Sequence, residues 1–184
     1  MSVAASAVLK VPRRPRVAGD GDVSLSVSKY TEELKPYWDA FVTGAANATF
    51  LFHRDYMDYH RDRFADHSLM VFRGPEVVAL LPANLRSDGM VVSHEGLTYG
   101  GLVVGPHAGL GLVLGSLCAV LRRLVEEGIT TLIYKRIPAF YAARPDDDVA
   151  YGLFLVEAAL FRRDCAQVLP MPPSMPFQKR RRRQ

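Results

Sequence analysis

The 184-residue sequence predicts an α/β fold built on a mixed sheet, an α+β arrangement in which an antiparallel meander is followed by a βαβ unit. Three observations predict it. Short runs rich in β-formers between 69 and 93 are joined by the turn chemistry Arg-Gly-Pro-Glu and Ser-Asp-Gly. A continuous apolar stripe at helical spacing runs through 108–127, from Leu110 and Val113 to Leu124 and Val125, opposite Arg122, Arg123, Glu126 and Glu127. Strand-like segments at 101–104 and Ile129 to Tyr134 flank that helix, which makes a strand, crossover helix and strand with parallel pairing.

The elements follow in order. Residues 1–22 include Pro12, Pro15 and a Gly-Asp-Gly-Asp run and lack periodicity, so they read as a flexible leader, with the domain itself at 23–170. Ser24 to Ser28 reads as a first strand. Pro36 then sits at a first-turn position, opening a helix whose Trp38, Phe41, Val42 and Ala45 share one face. Residues 52–64 read as a second helix with Met57, His60 and Phe64 on one side and Arg54, Arg61 and Asp62 elsewhere. The meander comprises Leu69 to Phe72, Val77 to Leu85 and Met90 to Ser93. Gly128 fits a C-cap for the long helix, and Asp146, Asp147 and Asp148 can cap a short helix at about 147–156. Ala158 to Leu169 supplies one or two final strands, and 171–184 reads as a Pro-rich linker with a basic tail.

Composition removes several classes of function. A chain that is 49% hydrophobic and 23% charged has the core of one compact domain. No apolar run reaches the roughly 20 residues of a membrane span, and the N-terminal segment lacks a signal-peptide core, so the expectation is a cytoplasmic protein with no membrane span. The net charge is +4, but Lys179 to Arg183 contribute five positive charges, and subtracting these leaves −1 for the rest. Nucleic acid is therefore an unlikely partner. Cys118 and Cys165 have no metal-ligand spacing and read as packing residues. His53, His60 and His67 recur every seven residues, which puts helical ligands about 10 Å apart, too far to share one zinc, so no metal is expected. His60 reads as a core-facing histidine satisfied by a backbone carbonyl. Hydrolase, kinase and dehydrogenase motifs are lacking.

The stretch from Ser93 to Val104 carries the chemistry, because it sets proton-transferring side chains among glycines just before the long helix. His94 and Glu95 are candidate general bases; the alternative is a histidine hydrogen-bonded inside the sheet and a solvated glutamate. Gly96, Gly100 and Gly101 permit either a close backbone approach to a ligand or a tight turn. Tyr99 is either a hydrogen-bond donor to a developing anion or half-buried packing. Lys135, at a strand end, can hold an anionic group or belong to the surface, and Tyr141 can line the same cleft.

Several longer words carry a resemblance: FLFHRDYMDYHRDRFADHSL, ALLPANL, SHEGLTYGGLVV, YKRIPAFY and DDDVAYGLF. Together with the element order, they resemble the N-terminal half of Fem-type (FemAB-like) GNAT N-acyltransferases over about Trp38 to Phe177. The resemblance implies transfer of an acyl group to an amine of a sugar or bacterial cell-envelope precursor, a small-molecule amine acceptor, and acetyl-CoA or another acyl-CoA as donor. It implies His94, Glu95 and Tyr99 as catalytic candidates, and Gly100, Gly101, Lys135 and Tyr141 as substrate-binding candidates. Gly109 and Gly111 would hold the donor's phosphates at the helix N-terminus. Here Pro106-His107-Ala108-Gly109-Leu110-Gly111 supplies both glycines but no leading Arg or Gln. Such proteins carry two GNAT-like halves, so a second half or a homodimer is an implied partner. A non-catalytic half that pairs with such a unit is the alternative function.

Overall fold

A computed structural model describes residues 2–11, 24–143 and 147–166. Strands β1 (Ser2–Lys10) and β2 (Leu25–Lys29) precede α1 (Lys35–Gly44); a 3-10 turn at Phe50–Phe52 leads into α2 (Arg54–Asp58). Six short strands follow: β3 (Ala65–Asp66), β4 (Leu69–Arg73), β5 (Glu76–Leu81), β6 (Asn84–Leu85), β7 (Val91–Val92) and β8 (Val103–Val104). The chain continues through α3 (Leu110–Glu126), β9 (Thr131–Lys135), α4 (Asp148–Leu155) and β10 (Ala159–Ala166).

The α/β class with a mixed sheet is what the chain adopts, but its strands divide between two sheets. One has the order β10-β1-β9-β7-β6-β3, the other β2-β4-β5-β8. The expected meander is therefore split. β4 and β5 pair antiparallel, β5 ends at Leu81, and Pro82, which has no N–H to give a ladder, marks the crossing into the other sheet, where β6 pairs antiparallel with β7. The expected βαβ unit is likewise corrected. β8 pairs with β5 and β9 runs parallel to β7, so α3 carries the chain from one sheet to the other.

The N-terminal reading also changes. Ser2–Lys10, expected as a flexible leader, forms β1 between β9 and β10, with Ala7 and Leu9 buried against the core. Alternation over so short a run of small residues gives little period-2 signal, and the pairing with β9 and β10 supplies what local propensity does not. The Pro12 to Asp22 part of the leader, the 171–184 linker and tail, and Asp146 lie outside the described residues.

The four-stranded sheet separates two apolar layers. Leu69, Val71, Ala79 and Leu81 face Val113, Leu117, Val120, Leu121 and Leu124 of α3, while Met70, Leu80 and Val103 face Trp38 and Val42 of α1 with Phe52. Val78 is an extra residue in β5, opposite no β4 partner, and this bulge lets Val77 join the α1 layer while Val78 and Ala79 join the other. α3 ends as its sequence directs. Gly128 takes φ +77°, its N–H reaches Val125 O, and Ile129 N reaches Leu124 O, the paired bonds of a Schellman motif. Leu110, expected in the stripe, is exposed at the first turn. Asp147 makes no side-chain cap for α4 and instead pairs with Arg136 at 2.6 Å. Cys118 is buried, whereas Cys165, expected to pack, is exposed on β10.

Candidate functional site

The expected second helix is short. After Asp58 the backbone tightens into successive turns, with His60 N on Met57 O, Arg61 N on Asp58 O and Arg63 N on His60 O. Arg54, expected on the outer side, is 2% exposed. Its guanidinium lies 3.7 Å over the Tyr30 ring and donates to Asp58 Oδ1 at 2.6 Å, Asp66 Oδ2 at 2.7 Å and Ser68 Oγ at 3.3 Å. Asp66 and Asp58 hold this guanidinium charged against the burial that opposes it. This ion network ties α2 to β3 and forms the floor of a cleft.

The cleft encloses about 230 Å3 between α2, the turns after it, and the 94–97 loop that follows β7. Its lining includes Met57, Asp58, His60, Arg61, Arg63, Phe64, His94, Glu95 and Leu97. His94 forms one wall. It is 6% exposed and adopts φ +55°, a backbone conformation that a non-glycine residue adopts at a cost. That conformation is held from several sides: His94 N donates to Pro82 O at 3.0 Å, and Lys135 Nζ donates to His94 O at 3.2 Å and Leu97 O at 2.7 Å. The imidazole Nε2 stands 3.1 Å from Leu51 O. A carbonyl only accepts, so Nε2 carries the proton and Nδ1 is left as the ring's proton acceptor. Burial lowers the His94 pKa below its ordinary value, against the opposing pull of the Leu51 carbonyl. A neutral imidazole on a cleft wall has the form a general base requires.

The other sequence candidates fall into separate places. Glu95 lines the cleft beside His94, its N–H held by Asn84 Oδ1 at 2.9 Å and its carboxylate 3.7 Å from Arg86 Nε. Tyr99 does not line the cleft. Phe52 lies between it and His94, with ring centroids at 5.6 Å from His94 and 5.9 Å from Tyr99, and the Tyr99 hydroxyl meets Thr49 Oγ1 at 3.0 Å. Burial raises the Tyr99 pKa. The Tyr141 ring lies tilted against that of Tyr99, with centroids 5.0 Å apart, on the same far side. Gly100 and Gly101 are buried and crowded: a Cβ at Gly100 would stand 2.5 Å from Ser93 O, and one at Gly101, where φ is +90°, 2.7 Å from Tyr134 Oη. Gly100 packs on the Ser93 backbone and Gly101 on the Tyr134 side chain of β9, so both close approaches are to the protein itself. Lys135 is committed to loop carbonyls, and burial lowers its pKa. His60, expected to be satisfied by a carbonyl, instead lines the cleft between Tyr56 and Tyr59, its ring at 6.1 and 4.8 Å from theirs. Among the described residues, no group of three metal-ligating side chains gathers.

Gly109 and Gly111 stand at the start of α3, away from this cleft, with open space above both. Gly109 makes no side-chain cap, so the first-turn N–H groups can meet a phosphate. An acyl-CoA also carries an extended amide arm, which can lie along a sheet only where an edge strand has free polar groups. β8 has none to offer. Asn47 donates to Leu102 O at 3.0 Å and accepts from Val104 N at 2.9 Å, Ala46 N reaches Val104 O, and Tyr134 Oη takes Leu102 N at 2.6 Å. Opposite, Ser93 N bonds Ile133 O and Gly100 N bonds Lys135 O, so the gap between β8 and β9 is filled by the chain itself. These residues do not fit a whole acyl-CoA.

No protein-family model matches the sequence, and no curated protein matches it. Solved structures do. A functionally unknown conserved protein from Staphylococcus epidermidis superposes with a TM-score of 0.54 at 10% identity, over 88% of this chain and 59% of that one. The likeness shows the fold. It is a mixed α/β architecture, and the chain spans 59% of that protein's length. A conserved protein of unknown function from Enterococcus faecalis, described as a probable N-acyltransferase, matches at TM-score 0.45 and 9% identity over 73% of this chain and 32% of that one. L-PGS from Bacillus licheniformis matches at 0.47 and 11%, over 72% and 45%. Both are too distant to carry an inference. No described helix is long and apolar enough to cross a membrane.

The sequence reading had no hold on Arg54, Asp66 and Asn47. The Arg54/Asp58 spacing of four was a visible pairing signal, but it reads equally well as a solvated surface pair. Nothing local marks Asn47 as the residue that closes a strand edge 55 positions on.

Proposed function

We propose that the chain acts as a GNAT-type N-acyltransferase, or half of one, whose cleft beside His94 holds the amine acceptor, a sugar or cell-envelope precursor. The observation that carries the reading is the state of His94: buried, neutral, proton fixed on Nε2, and placed on a cleft wall by a backbone conformation that the surrounding hydrogen bonds enforce. An amine nucleophile must lose a proton as it bonds to the acyl carbon, and the neutral His94 imidazole lining the cleft would take it. Glu95 orients the incoming ammonium or amine by charge. The acyl carbon would come from a thioester or related donor: its bond to the leaving group breaks as the C–N bond forms, and the leaving group departs with the proton taken from the amine.

A second reading is favoured by the β8 edge: with its polar groups taken by Asn47, Ala46 and Tyr134, the chain binds the acceptor while a second GNAT-like unit brings the donor. The two are separated by incubating the protein with acetyl-CoA and a panel of amino sugars, following N-acylated product by mass and amine binding by calorimetry. Product from the chain alone, with kcat reduced about 100-fold or more in H94Q, supports the first reading. Binding without product supports the second. Absence of both overturns the acceptor assignment.

A further inference from the structure

Three arginines and three carboxylates line the cleft, but they are not all paired with one another: Asp58 and Asp66 share Arg54 at 2.6 and 2.7 Å, and Glu95 lies 3.7 Å from Arg86, which is outside the lining. Arg61 and Arg63 line the same cleft and make no ion pair or side-chain hydrogen bond among the described residues. Asp62, between them in sequence, is not part of the lining. His60, the third polar group of this turn, likewise has ring contacts only. The backbone holds these side chains together. Arg63 N and Phe64 N both bond His60 O, and the Phe64 ring packs on Gly96, where φ is +81° and a Cβ would stand 2.6 Å from that ring.

Two guanidinium groups and an imidazole that line the same cleft of about 230 Å3 as His94 make a recognition element for an oxyanion. We infer that the ligand of this cleft is an amine that also bears an oxyanion, a phosphate or a carboxylate, gripped by Arg61 and Arg63 with His60 while its amine faces His94 and Glu95. This rests on the acceptor reading for the amine, but not for the anion. A free oxyanion alone should occupy the arginine side.

The test is a titration of the full chain, followed by the ring resonances of His60 and His94 and the side-chain Nε resonances of Arg61 and Arg63, at constant ionic strength. The probes are inorganic phosphate, glucosamine, glucosamine 6-phosphate and 2-amino-2-deoxyglucuronic acid. Saturable shifts at His60, Arg61 and Arg63 with inorganic phosphate are expected. At least one anionic amino sugar should bind tenfold or more tightly than glucosamine, and the tighter of the two assigns the anion. In R61Q/R63Q, both exposed residues, that advantage should vanish together with the response to inorganic phosphate. Equal binding of all three amino sugars, or no saturable response to phosphate, overturns the proposal whatever the variant does. Anion binding with neither amine binding nor acylated product defeats the acceptor reading and leaves the anion site standing; acylation of glucosamine with no response to phosphate does the opposite.

Discussion

His94 and Arg54 set the chemistry and the stability of the cleft at the residue scale. Burial lowers the pKa of His94, and also that of His67, whose Nε2 lies 2.7 Å from Glu127 Oε2. The unfolded chain would bind protons at these positions near the ordinary value of 6.5, while the folded chain resists them. The stability from keeping both neutral is therefore complete above about pH 6.5 and lost as pH falls below it toward their folded values. A urea midpoint measured between pH 8 and 5 should fall through this window, with a shallower fall in H94Q; a midpoint that rises on acidification contradicts the account. Arg54→Ala removes a buried guanidinium from Asp58 and Asp66, whose carboxylates stay about a third exposed to water, and should cost about 1–3 kcal/mol by urea unfolding. Gly100→Ala places a methyl 2.5 Å from a backbone oxygen and should cost about 1–3 kcal/mol. Of these residues, His94 was legible in the sequence because histidine beside glutamate among glycines is unusual chemistry for a loop. Arg54 was not, because burial of an arginine depends on Tyr30, Asp66 and Ser68, and no local pattern encodes those neighbours.

Elements with strong local patterns formed where the sequence placed them. α1 keeps Trp38 and Val42 in the core, α3 keeps its stripe from Val113 to Leu124, and Gly128 closes it. The helix after Phe52 shortened, β1 arose from a run read as leader, and β8 and β9 parted into different sheets, all because long-range pairing decided them. The edge of β8 is the clearest case: its polar groups are met by Asn47 from a loop far earlier in the chain. Asn47→Ala leaves Leu102 O and Val104 N without these partners in a buried setting, and a loss of about 1–3 kcal/mol for each orphaned group is expected in urea unfolding. A loss near zero would show that the edge is not held closed by this side chain, and would reopen β8 to a donor's amide arm.

Across the whole molecule, two sheets joined through α3 bring the turn carrying Arg61 and Arg63 and the loop carrying His94 and Glu95 to one cleft, while the start of α3 lies elsewhere. On the proposed reading this cleft holds the acceptor amine. The most direct test is an amide-resolved NMR titration of the full chain with an amino sugar panel. Saturable shifts confined to 56–66 and 94–97, with His94 among them, are the predicted result. Shifts centred on 105–112, or none from any amine, would contradict the assignment.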